Sequence, residues 1–133
     1  MSEKSIESVL NLEQIVFDYI KFDRLGFQSD KELTFSMNTT IGKKENEEIY
    51  KVTLKLSGDK PDEYKFSISL SGFFSFENVI DVKLKESLIQ KNAVAILMPY
   101  LRSEVSLLTA QPSVECVVLP AFNINALLEN QLE

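Results

Sequence analysis

Residues 95–129 read AILMPYLRSEVSLLTAQPSVECVVLPAFNINALLE, and this stretch decides the fold. Apolar residues recur at three and four positions from about Val82 to Ala110: Leu88, Ile89, Ala95, Leu97, Met98, Leu101, Val105 and Leu108. That spacing predicts a helix with a wide apolar stripe. Val94 and Ile96 add apolar surface off the stripe, so the helix is expected to be covered on more than one side. A second subunit is the simplest source of the extra cover. Pro99 lies inside the run, where proline costs about 3 kcal/mol and frees the carbonyl four residues earlier, that of Ala95. The sequence therefore predicts a kink or a fresh helix start at Pro99. Beyond Pro112, Val114–Leu119 reads as a short strand ended by Pro120. Asn123 is a good N-cap for a small C-terminal helix with Ile124, Leu127, Leu128 and Leu132 on one face.

Upstream of the helix the period changes from four to two. Leu33, Phe35, Met37, Thr39 and Ile41 alternate cleanly, as do Tyr50, Val52, Leu54 and Leu56. Tyr64, Phe66, Ile68 and Leu70 alternate with Lys65, Ser67, Ser69 and Ser71, as expected of an antiparallel sheet with one covered and one wet face. Over residues 14–27, Ile15, Phe17 and Tyr19 fall on one face and Ile20 and Phe22 on the other. That phase change predicts a bulge or strong twist in the first strand. The segments Gly42–Glu48 and Ser57–Glu63 have the composition of turns. Residues 1–12 form either a frayed end or one helical turn. The chain is thus one domain, residues 1–133: an α+β fold with a meander-like sheet of four antiparallel strands. A long helix and a short C-terminal helix cover its apolar face.

The bulk numbers fit. A chain of 133 residues buries roughly two-thirds of its unfolded surface on folding. Apolar residues make up 44% and include nine Phe and four Tyr but no Trp, many aromatics for so small a core. Some of them are expected to meet another subunit or a ligand. The net charge of −6 and pI of about 4.8 disfavour nucleic acid as a partner. With no apolar leader and no long apolar run, the expected location is cytoplasmic, without membrane insertion.

The residues for most catalytic chemistry are absent. There is no histidine, so no Ser-His or Cys-His nucleophile and no His metal ligand. A single cysteine, Cys116, builds neither a disulfide nor a zinc site and reads as a packed small hydrophobe. Four glycines and no phosphate-loop motif leave nothing to cradle a nucleotide. Asp18 and Asp23 are close enough in sequence to pair, though acids on a surface are usually solvated rather than catalytic. The expectation is a protein that is not an enzyme and uses no metal or cofactor.

Three co-linear segments resemble the SecB family of protein-export chaperones. Ile96–Leu108 is similar to that family's helix with a Phe-Pro-Tyr-Ala-Arg core, here Met98, Pro99, Tyr100, Leu101 and Arg102. Leu119–Leu128 looks like its Leu-Ala-Pro-Val-Asn-Phe-Asp-Ala-Leu, and Ser71–Phe76 like its Gly-Gly-Ile-Phe-Ser-Ile. The resemblance implies a chaperone that works without ATP and holds unfolded or precursor polypeptides in apolar grooves. It implies a homotetramer, a dimer of dimers, joined through the long helix at Leu97, Leu101, Val105 and Leu108. The client-binding side chains it implies are Leu25, Phe27, Phe35, Tyr100, Phe122 and Leu128. Asp23 matches an acid through which the family contacts the export ATPase SecA. Tyr19 stands where a second such acid lies, and Lys65 and Ser67 replace an apolar residue and an acid on the fourth strand. The family's loop between strands one and two is longer than Arg24–Glu32, and its C-terminal tail is almost absent here. These departures also fit a dedicated chaperone or adaptor for one partner, such as an antitoxin, without the export ATPase.

Overall fold

The computed structural model describes residues 10–43, 48–76 and 82–119. They form a sheet of four antiparallel strands, β1 (Leu10–Arg24), β2 (Thr34–Lys43), β3 (Tyr50–Lys60) and β4 (Tyr64–Phe76). A helical layer follows: α1 (Val82–Leu88), a π-helical turn (Ile89–Ala93) and α2 (Val94–Thr109). The strand order is β1-β4-β3-β2. The meander expected from short loops therefore holds only for β2, β3 and β4. β1 pairs with β4, so residues 25–33 carry the chain past the ends of β4 and β3 from one edge of the sheet to the other.

The bulge expected in β1 is real and is doubled. Its register against β4 slips between Leu12 and Gln14 and again between Phe17 and Tyr19. Asp18 is the extra residue of the second slip. It returns Ile20 and Phe22 to the row of Ile15 and Phe17, facing Ile68, Phe66, Gly72 and Leu70 respectively. Without it the second half of β1 would turn its apolar residues outward. Each slip also presents an acid to the serines of β4. Ser69 Oγ and Ser71 Oγ donate to Asp18 at 2.9 and 2.6 Å, and Ser75 Oγ donates to Glu13. Thr53 Oγ1 shares a 2.9 Å hydrogen bond with Ser71 Oγ. The outer row of β4 is therefore not wet at its centre: Ser69 and Ser71 are buried beneath their neighbours.

On the other face, Val52, Leu54, Leu56, Phe66, Ile68, Leu70 and Phe74 meet Ile89, Ala93, Val94, Leu97, Met98, Leu101 and Val105 in one core. Gly72 lets the helix approach the central strand: a Cβ there would lie 2.7 Å from Leu97 Cδ2. Ile89, Ala93, Leu97, Leu101, Val105 and Thr109 are all buried at strict four-residue intervals. An α-helix of 3.6 residues per turn drifts away from such a row, and the wider turn at Ile89–Ala93 offsets part of that drift. The helix continues through Pro99, so no fresh helix starts there, and the π-helical turn lies upstream. Pro99 and Ala95 share the solvent side of α2, so the carbonyl that Pro99 leaves unpaired faces water, which lowers the expected penalty.

Residues 110–119 form no strand. No sheet ladder forms along them, and Val117 is tied to α2 on both its backbone groups. Val117 N donates to Thr109 Oγ1 at 2.8 Å, and Ser106 Oγ donates to Val117 O at 3.0 Å. Along this segment Cys116 is exposed, not packed as expected; its Sγ donates to Ser106 O of α2 at 3.5 Å while the residue stays open to solvent. The expected C-terminal helix, with Phe122 and Leu128, lies outside the described residues, as do residues 1–9.

Candidate functional site

Leu25 and Phe27 are exposed large apolar side chains on the loop that crosses from β1 to β2. β1 ends at Arg24 because Leu25 N and Gly26 N turn away from the sheet to donate to Glu63 O, at 2.8 and 3.1 Å. Glu63 closes the β3–β4 turn, where its own N–H donates to Lys60 O at 3.0 Å. Asp62 supplies the left-handed residue of that turn at φ 71°, a conformation Asp tolerates better than most residues. Gly26 packs on this turn so closely that a Cβ would lie 2.7 Å from Asp62 O.

The side chain of Glu63 completes the anchor. Its Oε1 accepts from Ser29 N at 3.0 Å and pairs with Lys60 Nζ at 2.9 Å, while the residue is only 1% exposed. The lysine and then the Ser29 amide hold the carboxyl below its usual range, and the carboxylate raises the Lys60 ammonium. Ser29 Oγ donates to Pro61 O at 3.0 Å. From the strand side, Arg24 Nε donates to Gly26 O at 2.7 Å and Nη2 to Ser113 O at 3.1 Å. The same guanidinium lies 5.7 Å from the centre of the Phe27 ring.

Phe27 is 82% exposed and Leu25 54%. An exposed phenylalanine is ordinary; one carried on a loop with this density of backbone anchors is a fixed apolar feature. The remaining residues proposed from sequence are dispersed. Phe35 is half-buried, edge-on to Phe66 at 6.4 Å, and belongs to the rim of the core beside the loop. Tyr100 stands on the solvent side of α2, 45% exposed. Leu97, Leu101 and Val105 are wholly buried in this chain's own core and Leu108 packs against it. The exposed side of α2 carries Tyr100, Ser103 and Leu107.

Asp23 faces outward on β1 directly opposite Lys65, and does not meet Asp18, which is held by the β4 serines. Lys21, Lys51, Lys55 and Lys65 lie on this same helix-free face, by their register, so it is mixed in charge rather than acidic. At the far end of that face Glu13, Gln14, Gly42, Lys43, Ile49, Lys51 and Phe73 line a cleft of about 380 Å³. Among the described residues no group of three or more acids or cysteines is placed to hold a metal ion, and no helix is long and apolar enough to cross a membrane. Sequence reasoning missed the anchor residues Arg24, Gly26, Ser29, Lys60 and Glu63. The one signal for them was the Gly-Asp-Pro turn composition of residues 57–63, which marks a turn but not what it holds.

The family model described as preprotein translocase subunit SecB matches residues 23–133. An uncharacterized protein of Methanocaldococcus jannaschii, MJ0357, is 33% identical over 112 residues, 80% of this chain and 67% of that protein. Among solved structures, the Mycobacterium tuberculosis SecB-like chaperone Rv1957, in complex with a ChAD peptide from the HigA1 antitoxin, superposes with a TM-score of 0.72. It is 10% identical, over 89% of this chain and 91% of that one.

Proposed function

The chain belongs to the SecB family, and on that premise we propose that it is a chaperone that holds unfolded polypeptides without ATP. The observation that carries this reading is the anchored display of Leu25 and Phe27 on the loop between β1 and β2. An unfolded chain offers apolar side chains, and each one well buried against such a surface contributes about 1.5–3 kcal/mol. The loop is already fixed, so little ordering entropy opposes contact. Phe35, Tyr100, Phe122 and Leu128 are further client contacts, separate from the loop display. Clients are held by mass action while they remain unfolded, and no nucleotide is required. The working form is a homotetramer in the cytoplasm.

The purified protein is expected to suppress aggregation of chemically denatured citrate synthase in the absence of ATP, and Phe27→Ala to weaken this. No binding of any unfolded polypeptide at micromolar concentration would refute it.

A second reading is a dedicated chaperone for one partner, such as an antitoxin, without the export ATPase. Two observations favour it. The solved SecB-like structure carries an antitoxin peptide, and Asp23, the acid that matches an export-ATPase contact, faces Lys65 on a face rich in lysine. A cationic partner gains little from such a face. Tight binding to a single antitoxin segment with no general aggregation suppression would select this reading, and SecA binding lost in Asp23→Lys would select the first.

A further inference from the structure

We propose that Glu63 is the positioning residue of the Leu25–Phe27 display: polypeptide affinity depends on this buried side chain, which the client never touches. The inference rests on the chaperone reading above and adds to it a residue and a means of action.

One residue holds three successive anchor points of the loop. The Glu63 carbonyl takes the Leu25 and Gly26 amides, and its carboxylate takes the Ser29 amide. Phe27 therefore sits between two points fixed to the same residue. Lys60, on the strand before the turn, fixes the carboxylate in turn. The Lys60 side chain is itself largely buried, so the pair is not a solvated surface pair of negligible consequence. Remove the carboxylate, and the Ser29 amide and the Lys60 ammonium lose their partner in a place with little water. The downstream half of the loop then keeps only two side-chain ties to the turn: Ser29 Oγ to Pro61 O and the solvent-exposed pair of Lys31 with Asp62 at 3.4 Å, which is worth little. The ring of Phe27 keeps its chemistry and its exposure but no longer has one position. Ordering it again on binding weakens affinity.

The test is a double-mutant cycle between Glu63 and Phe27, read by fluorescence anisotropy with labelled lactalbumin kept permanently unfolded by reduction and carboxymethylation. Phe27→Ala is expected to raise Kd about tenfold or more, the loss of one buried phenyl ring. Glu63→Ala is expected to raise Kd several-fold in the presence of Phe27 and less than about twofold in the F27A background, because its effect passes through that ring. Glu63→Gln keeps an acceptor oxygen for Ser29 N and should recover part of the affinity. Should Glu63→Ala fail to fold by circular dichroism, the same cycle is run with Glu63→Gln. Amide exchange at Ser29 should rise in both variants, which reports the loosened loop directly. Equal weakening with and without Phe27, or unchanged Kd with faster Ser29 exchange, overturns the proposal. Unchanged Kd in Phe27→Ala overturns the client reading itself and this inference with it.

Discussion

Leu97→Ala separates two uses of the α2 stripe. The side chain is 0% exposed within one chain and fills the slot above Gly72, where no Cβ stands between helix and strand. Truncation removes its transfer free energy and leaves a cavity that the sheet beneath cannot fill, because the residue below has no side chain to shift upward. Buried Leu→Ala changes cost about 2–5 kcal/mol, and a rigid floor keeps this one off the low end, at about 3–4 kcal/mol. A domain of this size holds about 5–15 kcal/mol in all, so the variant should stay folded with Tm lower by roughly 10 °C. The assay is urea unfolding by circular dichroism at two protein concentrations about a hundredfold apart. If Leu97 belongs to the intrachain core, its loss relative to wild type is the same at both. If it held an oligomer together, the variant would suffer more on dilution, since partner binding contributes by mass action, up to about 2.7 kcal/mol across that range. A loss under about 1 kcal/mol, or one that grows on dilution, would refute the packing described. Leu107→Ala, on the open side of α2, is the control and should change monomer stability by less than about 0.5 kcal/mol.

Three further outcomes are expected. Thr109→Val removes the oxygen that accepts from Val117 N and donates to Val105 O; it should cost about 1–3 kcal/mol and speed amide exchange at Val117, the mark of segment 110–119 lifting from α2. Gly26→Ala drives a methyl into Asp62 O and should cost about 1–3 kcal/mol, while Gly42→Ala, with open space around it, should stay within about 0.5 kcal/mol, both read by urea midpoint. The Glu63 carboxyl is lowered from 4.5 by Lys60 and the Ser29 amide, so its contribution is complete above pH 4.5 and is lost as pH falls through the folded-state value. Lys60 is raised from 10.5 by Glu63, so its contribution is complete below pH 10.5 and lost as pH rises through its folded-state value. For this pair the contribution should be flat between these limits, and Glu63→Gln should show a shallower acid-side decline in urea midpoint than wild type.

Period-two and period-four patterns located the sheet and the helix because both periods are imposed by burying one face, and burial is written into each residue type. The phase change near Tyr19 was legible for the same reason, since a bulge must appear wherever an apolar row changes parity. The fresh helix start that Pro99 also allowed does not occur, because its lost hydrogen bond falls on the exposed side of α2, which the sequence does not show. The reading of Cys116 as packed failed because an apolar run says nothing of how much of each residue stays open to solvent when the segment lies along a helix and not in a sheet.

By itself, then, the sequence determined the element types, the apolar stripe, the co-linear SecB-like segments and the presence of Leu25 and Phe27 between two strands. Only the tertiary structure decided that β1 crosses to pair with β4, that Leu97, Leu101 and Val105 are buried within a single chain, and that Glu63 grips the loop displaying Phe27. Local patterns follow from residues a few positions apart, whose geometry the backbone fixes. The grip of Glu63 on Ser29 joins residues 34 positions apart, and no local preference of either residue encodes it.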